Sequence, residues 1–307
     1  MSLPSFKPLT LADKPVLQPI LSRFSHPLSG YSFALLHVWH NYFNYAWQLM
    51  DDTLMMSFDL HHGNIKRCLM QPIGDFGEKC QQTILKMAQE KTDPFHLFGI
   101  SEAFIQKHKT FCSHFDIVYR LEYSDYIYKA SDLAELKGEK YAKKRNLIHQ
   151  ACRAYKFTVD TLHAKNIDDA FFVLKRCDLE IPERGPSETR QGERQALELA
   201  LEHFGRLGFH GVLIRIDETP AAFAIYEVLP NQTAIVAFER ALRTYKGLSQ
   251  IINQETAKSL QQQGIEFINR EEDLGDPGLR QAKMSYAPFK IEPSYSLTFR
   301  RPACLPS

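Results

Sequence analysis

A basic loop containing a glycine follows the apolar run "TAIVAF" and precedes a predicted helix. Its Arg243 and Lys246 could make charge-assisted hydrogen bonds to phosphates, and Gly247 would let the main chain approach them closely. Ser249 is the predicted N-cap of the helix, and the free N–H groups of a helix N-terminus bind anions. The loop therefore predicts a site for a phosphorylated donor, with a solvated turn as the alternative.

The elements around this loop predict a mixed sheet. The run "QTAIVAFERAL" is a central strand because its middle is apolar on both faces, and "IEFINRE" is the next strand after the helix. Two strands joined by one helix pair in parallel. Glu239 lies near the end of the first of these strands, and Asn269 and Arg270 end the second. Active-site groups gather at this edge in open α/β sheets.

The N-terminal half reads as a degraded copy of this order. It contains a predicted hairpin ("YAWQLMDD" and "TLMMSFDLHHG"), a third strand, a helix ("EKCQQTILKMAQEK") and a further strand ("HLFGIS"). We predict an α+β protein of two domains, residues 1–125 and 126–307, with a single large sheet as the alternative. The loop "QPIGDFGEK" of the first copy is acidic, so we expect a structural role for that copy.

Residues 137–156 form the one locally basic block of the chain. Basic side chains at a domain junction could contact phosphates of RNA or of an anionic lipid. The alternative is a solvated connecting helix. The candidates for phosphate contact are Lys140, Lys143, Lys144 and Arg145.

The composition limits the remaining classes of function. The formal net charge is +1, so a nucleic acid or membrane partner would have to meet a local patch. No stretch approaches the ~20 apolar residues of a membrane-spanning helix, and the start lacks a secretory signal. Six cysteines without C-x-x-C spacing, and histidines without nearby ligands, predict reduced thiols and no metal site. We expect a cytoplasmic protein, with peripheral membrane association left open.

Two longer motifs resemble known families. The strand, basic loop, helix and strand resemble the acyl-CoA site of the GNAT acetyltransferases, although "RTYKGLSQ" lacks the second glycine of their R/Q-x-x-G-x-G/A pattern. The segments "YIYKASDLAELKGEKYAKKRN" and "FINREEDLGDPGLRQAKMSYAP" resemble the family of the C-terminal domain of phosphatidylglycerol lysyltransferase. This second resemblance covers nearly the whole chain. It implies tandem GNAT-like folds, similar to the Fem-type aminoacyltransferases.

The second resemblance also implies a chemistry. An aminoacyl group would move from an activated donor, such as aminoacyl-tRNA, to an amine or hydroxyl acceptor, which could belong to an anionic lipid. The donor's ammonium would need carboxylate partners, and the developing oxyanion would need stabilisation. Asn269 and Arg270 would orient the substrate, and Tyr286 would act as general acid, with simple packing as its alternative. Candidate ammonium partners or general bases are Glu239, Glu271, Glu272 and Asp273; Arg280 and Lys283 would add positive potential for the donor.

Three functions therefore remain open from the sequence. An aminoacyl-tRNA-dependent transferase is the first, and an acetyl-CoA-dependent N-acetyltransferase with acyl-CoA as its donor is the second. A non-catalytic module that binds a small ligand is the third. The missing second glycine argues against the CoA version, and the near-neutral charge argues against extensive RNA contact.

Overall fold

A computed structural model describes residues 5–61, 67–180 and 188–301. The chain divides into two compact units. The first unit comprises Met1–Ser124 together with Glu292–Ser307, and the second comprises Asp125–Ile291.

The strands are numbered in chain order across both units. Those of the described residues are β1 (Lys7–Pro8), β2 (Ala46–Met50), β3 (Thr53–Asp59), β4 (Arg67–Met70), β5 (Ile73–Gly74), β6 (His96–Ile100), β7 (Phe115–Tyr119), β8 (Asp125–Lys129), β9 (Phe157–Leu162), β10 (His210–Ile216), β11 (Thr219–Val228), β12 (Thr233–Ala241), β13 (Phe267–Asn269), β14 (Lys290–Glu292) and β15 (Tyr295–Phe299).

The α-helices are numbered in the same way. Those of the described residues are α1 (Lys14–Arg23), α2 (Phe33–Val38), α3 (His40–Phe43), α4 (Glu78–Glu90), α5 (Glu102–Lys107), α6 (Lys109–Cys112), α7 (Ala130–Glu135), α8 (Ala142–Ala154), α9 (Ile167–Leu179), α10 (Glu188–Glu202), α11 (Phe204–Leu207), α12 (Leu248–Gln262) and α13 (Pro277–Met284).

The first unit is built on a mixed sheet with strand order β1-β2-β3-β4-β6-β15-β7. The predicted hairpin is β2 and β3, which pair antiparallel, whereas β4 and β6 pair in parallel across α4. One apolar cluster packs α4 against this sheet, and Ile84, Leu97 and Leu297 are fully buried in it. Burial of such side chains is the main stabilising term of the unit.

The second unit has strand order β9-β10-β11-β12-β13-β8-β14. Strand β12 is central, as the sequence predicts, with β11 antiparallel on one side and β13 parallel on the other. Helix α12 connects the parallel pair and buries Ile252, Ala257 and Leu260 completely. Each unit is thus a mixed sheet flanked by helices.

The strands of the two sheets follow equivalent spatial orders, and in each sheet one strand lies away from its neighbours in sequence. Strand β8 follows β7 in sequence and lies between β13 and β14 of the second sheet. Strand β15 follows β14 and pairs antiparallel with both β6 and β7 of the first sheet. The predicted boundary at 125/126 is close to the observed one. The assignment of residues 292–307 to the second domain differs from the structure, because Leu297 fills the core of the first unit.

Candidate active site

The parallel pair in the second unit separates at its carboxyl end. The ladder joins Thr233–Ile235 of β12 to Phe267–Asn269 of β13, and no further pair of these two strands occurs in the described chain. Strand β12 continues to Ala241, whereas the chain after Asn269 turns away. Ala237 forms a β-bulge in β12, because Ile225 of β11 pairs with Phe238 and Tyr226 pairs with Val236. A bulge leaves its extra residue outside the ladder and re-aims the side chains beyond it.

Four polar side chains meet beside this separation, and we call them the polar cluster: Glu239, Arg270, Tyr286 and Lys144. Arg270 Nη2 lies 3.1 Å from Glu239 Oε2, and the two side chains are 19% and 18% exposed. The ion pair lacks hydrogen-bond geometry at Glu239 Oε2. The Arg270 guanidinium carbon lies 5.9 Å from the centre of the Tyr286 ring, and Lys144 Nζ lies 4.1 Å from it.

Burial and neighbouring charges together shift the pKa values of Tyr286 and Lys144. Burial raises the pKa of Tyr286, and the Glu239 carboxylate raises it further, so the phenol keeps its proton at neutral pH. Burial lowers the pKa of Lys144, and the neighbouring Arg270 charge adds to this effect. Tyr286 is therefore suited to donate a proton, while Arg270 and Lys144 place positive charge against its ring.

A tight turn follows β13 and sets the direction of Arg270. Asn269 is 2% exposed, so it lies beneath the site and not on its surface. Its Nδ2 donates to Asp125 Oδ2 at 2.7 Å, and its Oδ1 accepts from the Glu271 N–H at 2.7 Å. Glu271 has a φ of 59°, a left-handed conformation that costs energy for a non-glycine residue. The Lys283 ammonium donates to the carbonyls of residues 270, 271 and 272 and holds the turn.

The same turn carries two neighbouring glutamates, whose pKa values the Lys283 ammonium lowers in part. Burial raises the pKa of Glu271 well above its usual range, and the charge of Glu272 adds to this. Burial raises the pKa of Glu272 to about 7, with the charge of Asp125 as the second cause. Both glutamates keep some solvent contact. Carboxylates with raised pKa values gain from a cation that binds beside them, so this turn suits an ammonium group.

Arg280 and Asp273 form a separate, closed contact. The Asp273 carboxylate is fully buried and accepts from Arg280 Nε at 2.6 Å and from Arg280 Nη2 at 2.8 Å. It also accepts from the Tyr126 hydroxyl at 2.6 Å. Helix α13 begins beside this pair with Pro277 at its first turn, and Asp276 caps it. Arg280 and Lys283 thus bind the protein's own acceptors, and their predicted contacts with a donor stay predictions.

The basic loop differs from its prediction at the helix start. Helix α12 begins at Leu248 with Gly247 as N-cap, so Ser249 is not the cap. Gly247 has a φ of 91°, and a Cβ at this position would lie 2.6 Å from the Leu147 carbonyl oxygen of α8. Only glycine suits this conformation and this close approach. Arg243 and Lys246 are exposed on the loop.

A carboxylate of the protein itself binds the amides of this loop. Glu180 caps the C-terminus of α9. Its Oε2 accepts from the Arg243 N–H at 2.5 Å, and its Oε1 accepts from the Thr244 N–H at 3.2 Å and from the Thr244 hydroxyl at 2.5 Å. Partial burial opposes ionisation of Glu180, but these hydrogen bonds and the Arg243 charge outweigh it and lower its pKa. We call this arrangement the Glu180 contact.

The basic block divides into residues with different partners. Lys140 lies 3.7 Å from Asp132, and Arg145 donates to the carbonyls of Leu136 and Gly138. Lys144 belongs to the polar cluster, and Lys143 is exposed. Of the four predicted phosphate contacts, Lys143 is therefore the one best placed to meet a phosphate on the open surface.

Glu239, Arg270 and Tyr286, three of the predicted site residues, lie together in the structure. The sequence did not predict Lys144 as their neighbour, the Ala237 bulge or the Glu180 contact. No pattern marks a bulge, and Glu180 reaches a loop 63 positions away in sequence. No group of metal-binding side chains occurs in residues 5–61, 67–180 and 188–301. Among the helices of those ranges, none combines the length and the apolar character that a membrane crossing requires.

Comparisons with known structures agree with this fold. A conserved protein of unknown function from Bacteroides thetaiotaomicron is 28% identical, with a TM-score of 0.85 over 97% of this chain and 100% of that one. The structure of L-PGS from Bacillus licheniformis is 14% identical, with a TM-score of 0.63 over 95% of this chain and 93% of that one. FemX is 8% identical, with a TM-score of 0.60 over 95% and 97%. No functionally curated protein matches the sequence.

Two mixed sheets flanked by helices, each with a parallel pair that separates, define a tandem GNAT-like fold. The model of the family described as "Phosphatidylglycerol lysyltransferase, C-terminal" matches residues 22–298. The chain belongs to this family, which confirms the resemblance found in the sequence.

Proposed function

We propose that this chain is an aminoacyl transferase that moves an aminoacyl group from aminoacyl-tRNA to an amine or hydroxyl acceptor, with an anionic lipid headgroup as one such acceptor. The observation that carries the proposal is the polar cluster beside the separating strands β12 and β13. It combines a retained phenolic proton, a carboxylate and two cations in one small volume. The family membership supports the same reaction class.

The polar cluster supplies the groups that this reaction needs. The hydroxyl oxygen or amine nitrogen of the acceptor forms a bond to the ester carbonyl carbon, and Glu239 takes the proton that this atom loses. Arg270 and Lys144 stabilise the negative charge that develops on the carbonyl oxygen. The ester C–O bond then breaks, and Tyr286 gives its proton to the departing ribose oxygen. The proton held by Glu239 returns to Tyr286 through solvent, which restores both groups.

The turn after β13 supplies a place for the donor's ammonium. Burial raises the pKa values of Glu271 and Glu272, and the crowding of their negative charges raises them further. A bound ammonium offsets this repulsion, whereas a neutral acyl group does not. This difference favours an aminoacyl donor over an acetyl donor.

The experiment is a transfer assay with two classes of donor. tRNAs charged with radiolabelled amino acids are incubated with phosphatidylglycerol vesicles or with small amines, and acetyl-CoA is tested with the same acceptors. We expect label to move from a charged tRNA to an acceptor. Glu239→Gln should slow this transfer roughly a hundredfold, the usual range for losing a general base. Glu202→Gln, an exposed carboxylate on α10, is the matched control and should leave the rate unchanged.

Two outcomes would contradict the proposal. One is acetylation of an amine by acetyl-CoA with no transfer from any charged tRNA. The other is transfer from charged tRNA at the same rate in wild-type protein and Glu239→Gln.

A further inference from the structure

The Glu180 contact occupies the backbone donors that an anionic ligand of this loop would need. Two successive N–H groups and one hydroxyl point at one carboxylate, and each donor atom lies within 3.2 Å of its oxygens. Successive backbone N–H groups that converge in this way form an anion-binding concavity. The loop therefore has the geometry of an anion site, and its anion is a side chain of the same chain.

Two N–H groups at the start of α12 already have acceptors within the chain. The Leu248 N–H donates to the Tyr245 carbonyl at 3.1 Å, and the Gln250 N–H donates to the Gly247 carbonyl at 3.1 Å. The Leu147 carbonyl oxygen of α8 approaches Gly247 closely and brings a negative dipole end to the same place. A diphosphate at this loop would have to displace Glu180 and would otherwise meet its negative charge.

We propose that Glu180 is a specificity-determining residue that excludes diphosphate-containing donors such as acyl-CoA from the loop of Arg243 and Thr244. This inference rests on the proposed function. It restricts the donor substrate to one that binds without hydrogen bonds from the N–H groups of this loop. Glu180 is held in place because it ends α9, which packs on β11 and β12. The Arg243 cation, which the sequence assigns to a phosphate, instead lowers the pKa of Glu180.

Binding of CoA and of inorganic pyrophosphate tests the proposal without any turnover. Isothermal titration of each ligand would use wild-type protein, Glu180→Ala, Glu180→Gln and the double variant Glu180→Ala/Arg243→Ala. Glu202→Ala is the matched control, since it removes an exposed carboxylate elsewhere in the same unit. Glu180→Gln keeps a side chain that can accept from the loop but removes the charge, so it separates repulsion from loss of loop structure.

We expect no saturable binding of either ligand to wild-type protein and Glu202→Ala. Glu180→Ala should bind pyrophosphate and CoA at least roughly tenfold more tightly, since two amides and a cation become available for charge-assisted hydrogen bonds. The gain should be smaller in Glu180→Gln, and it should be smaller in the double variant than in Glu180→Ala, because the double variant keeps the two amides but lacks the Arg243 cation.

Equal binding of CoA to wild-type protein and Glu180→Ala would overturn the proposal. So would a failure of both single variants to gain affinity for either ligand while their circular dichroism stays that of wild type. Because these results do not depend on tRNA or on transfer, they are separate from failure of the proposed function.

Discussion

Both units contain a parallel pair of strands that separates at its carboxyl end, but the two separations are filled differently. In the first unit, β4 and β6 pair at Leu69–Leu97 and Met70–Phe98. Beyond them, the Tyr31 hydroxyl accepts from the Gln71 N–H at 2.8 Å and donates to the Gly99 carbonyl at 2.9 Å. Gln71 Oε1 also accepts from the Ser101 N–H at 2.8 Å. Neutral groups thus bridge the two strand ends.

The second unit has charges in the corresponding place. Glu239 and Arg270 face each other across β12 and the end of β13, and Tyr286 lies against Arg270 and Lys144. Buried neutral groups that satisfy one another stabilise a fold, whereas partly buried charges lower the free energy of unfolding unless good geometry offsets their desolvation. The same topology therefore places neutral groups at one separation and charged groups at the other. The structural role expected for the first copy stays a prediction.

The largest expected effect is the loss of transfer activity when the hydroxyl of Tyr286 is removed. Tyr286→Phe removes the proton donor to the leaving group and should lower kcat roughly a hundredfold to a thousandfold, the range for loss of a general acid. The free energy of unfolding should change little. Steady-state transfer from charged tRNA measures the loss. Tyr226→Phe, a tyrosine of β11 in the same sheet, is the control; equal rates for the two variants would remove Tyr286 from the reaction.

A substitution of Gly99 tests how tightly Tyr31 fills the separation between strands β4 and β6. Gly99 has a φ of 66°, and an added Cβ would lie 2.9 Å from the Tyr31 hydroxyl oxygen. Gly99→Ala should lower the free energy of unfolding by about 2–4 kcal/mol, from backbone strain and displacement of Tyr31. Gly208 has a φ of 84° and no neighbour within 4 Å of an added Cβ. Urea unfolding of Gly208→Ala should therefore show the cost of backbone strain alone. Equal losses of unfolding free energy in Gly99→Ala and Gly208→Ala would mean that the separation between β4 and β6 is open.

Removing the Tyr31 hydroxyl is a milder test of the same bridge. Tyr31→Phe leaves the buried Gln71 N–H and Gly99 carbonyl without their shared partner. The free energy of unfolding should fall by about 1–3 kcal/mol, while kcat for transfer stays that of wild type. Urea unfolding and the transfer assay together check this. A large loss of kcat without a loss of stability would place chemistry in the first unit.

The smallest expected effect concerns the pH dependence of stability. Glu272 has a pKa of about 7 in the folded chain against an ordinary value of 4.5, so the folded state holds its proton more strongly. Stability should fall as pH rises through this window, because the carboxylate ionises first in the unfolded chain. Glu272→Gln should therefore gain about 1 kcal/mol relative to wild type at pH 8 and nothing at pH 4, given partial solvent screening.

The matched control for that measurement is Glu266→Gln, an exposed carboxylate in the same unit. Urea unfolding at both pH values compares the three proteins. A gain at pH 4 as large as the gain at pH 8 would show that the Glu272 charge is not the cause.

Local signals predicted the parts of the fold that depend on neighbours in sequence. The apolar run of β12, the helix after it and the next strand predicted the parallel pair. Pro277 and the capping Asp276 mark the start of α13. Thr10 and Asp13 form a capping box at the first helical segment, a start that the local sequence sets. These elements are set by periodicity and capping, which a sequence carries directly.

Long-range placement could not be predicted in the same way. The alternation of β15 indicates a strand, but nothing in it selects the first sheet over the second. Lys144 reads as one charge of a basic helix until α8 is placed against Tyr286. Glu180 and the Arg243 loop meet only after α9 packs on the sheet. Each of these contacts depends on tertiary packing, which local propensity does not encode.

The single-turnover rate of aminoacyl transfer in Arg270→Lys tests the central claim most directly. Lysine keeps the positive charge but cannot contact Glu239 and the Tyr286 ring at once with a planar fork. Arg240→Lys is the matched control, because Arg240 also pairs with a glutamate, Glu193, at 2.7 Å. We predict that Arg270→Lys lowers the rate at least roughly a hundredfold and that Arg240→Lys leaves it within about twofold. Equal rates for the two variants would contradict the assignment of the polar cluster as the transfer site.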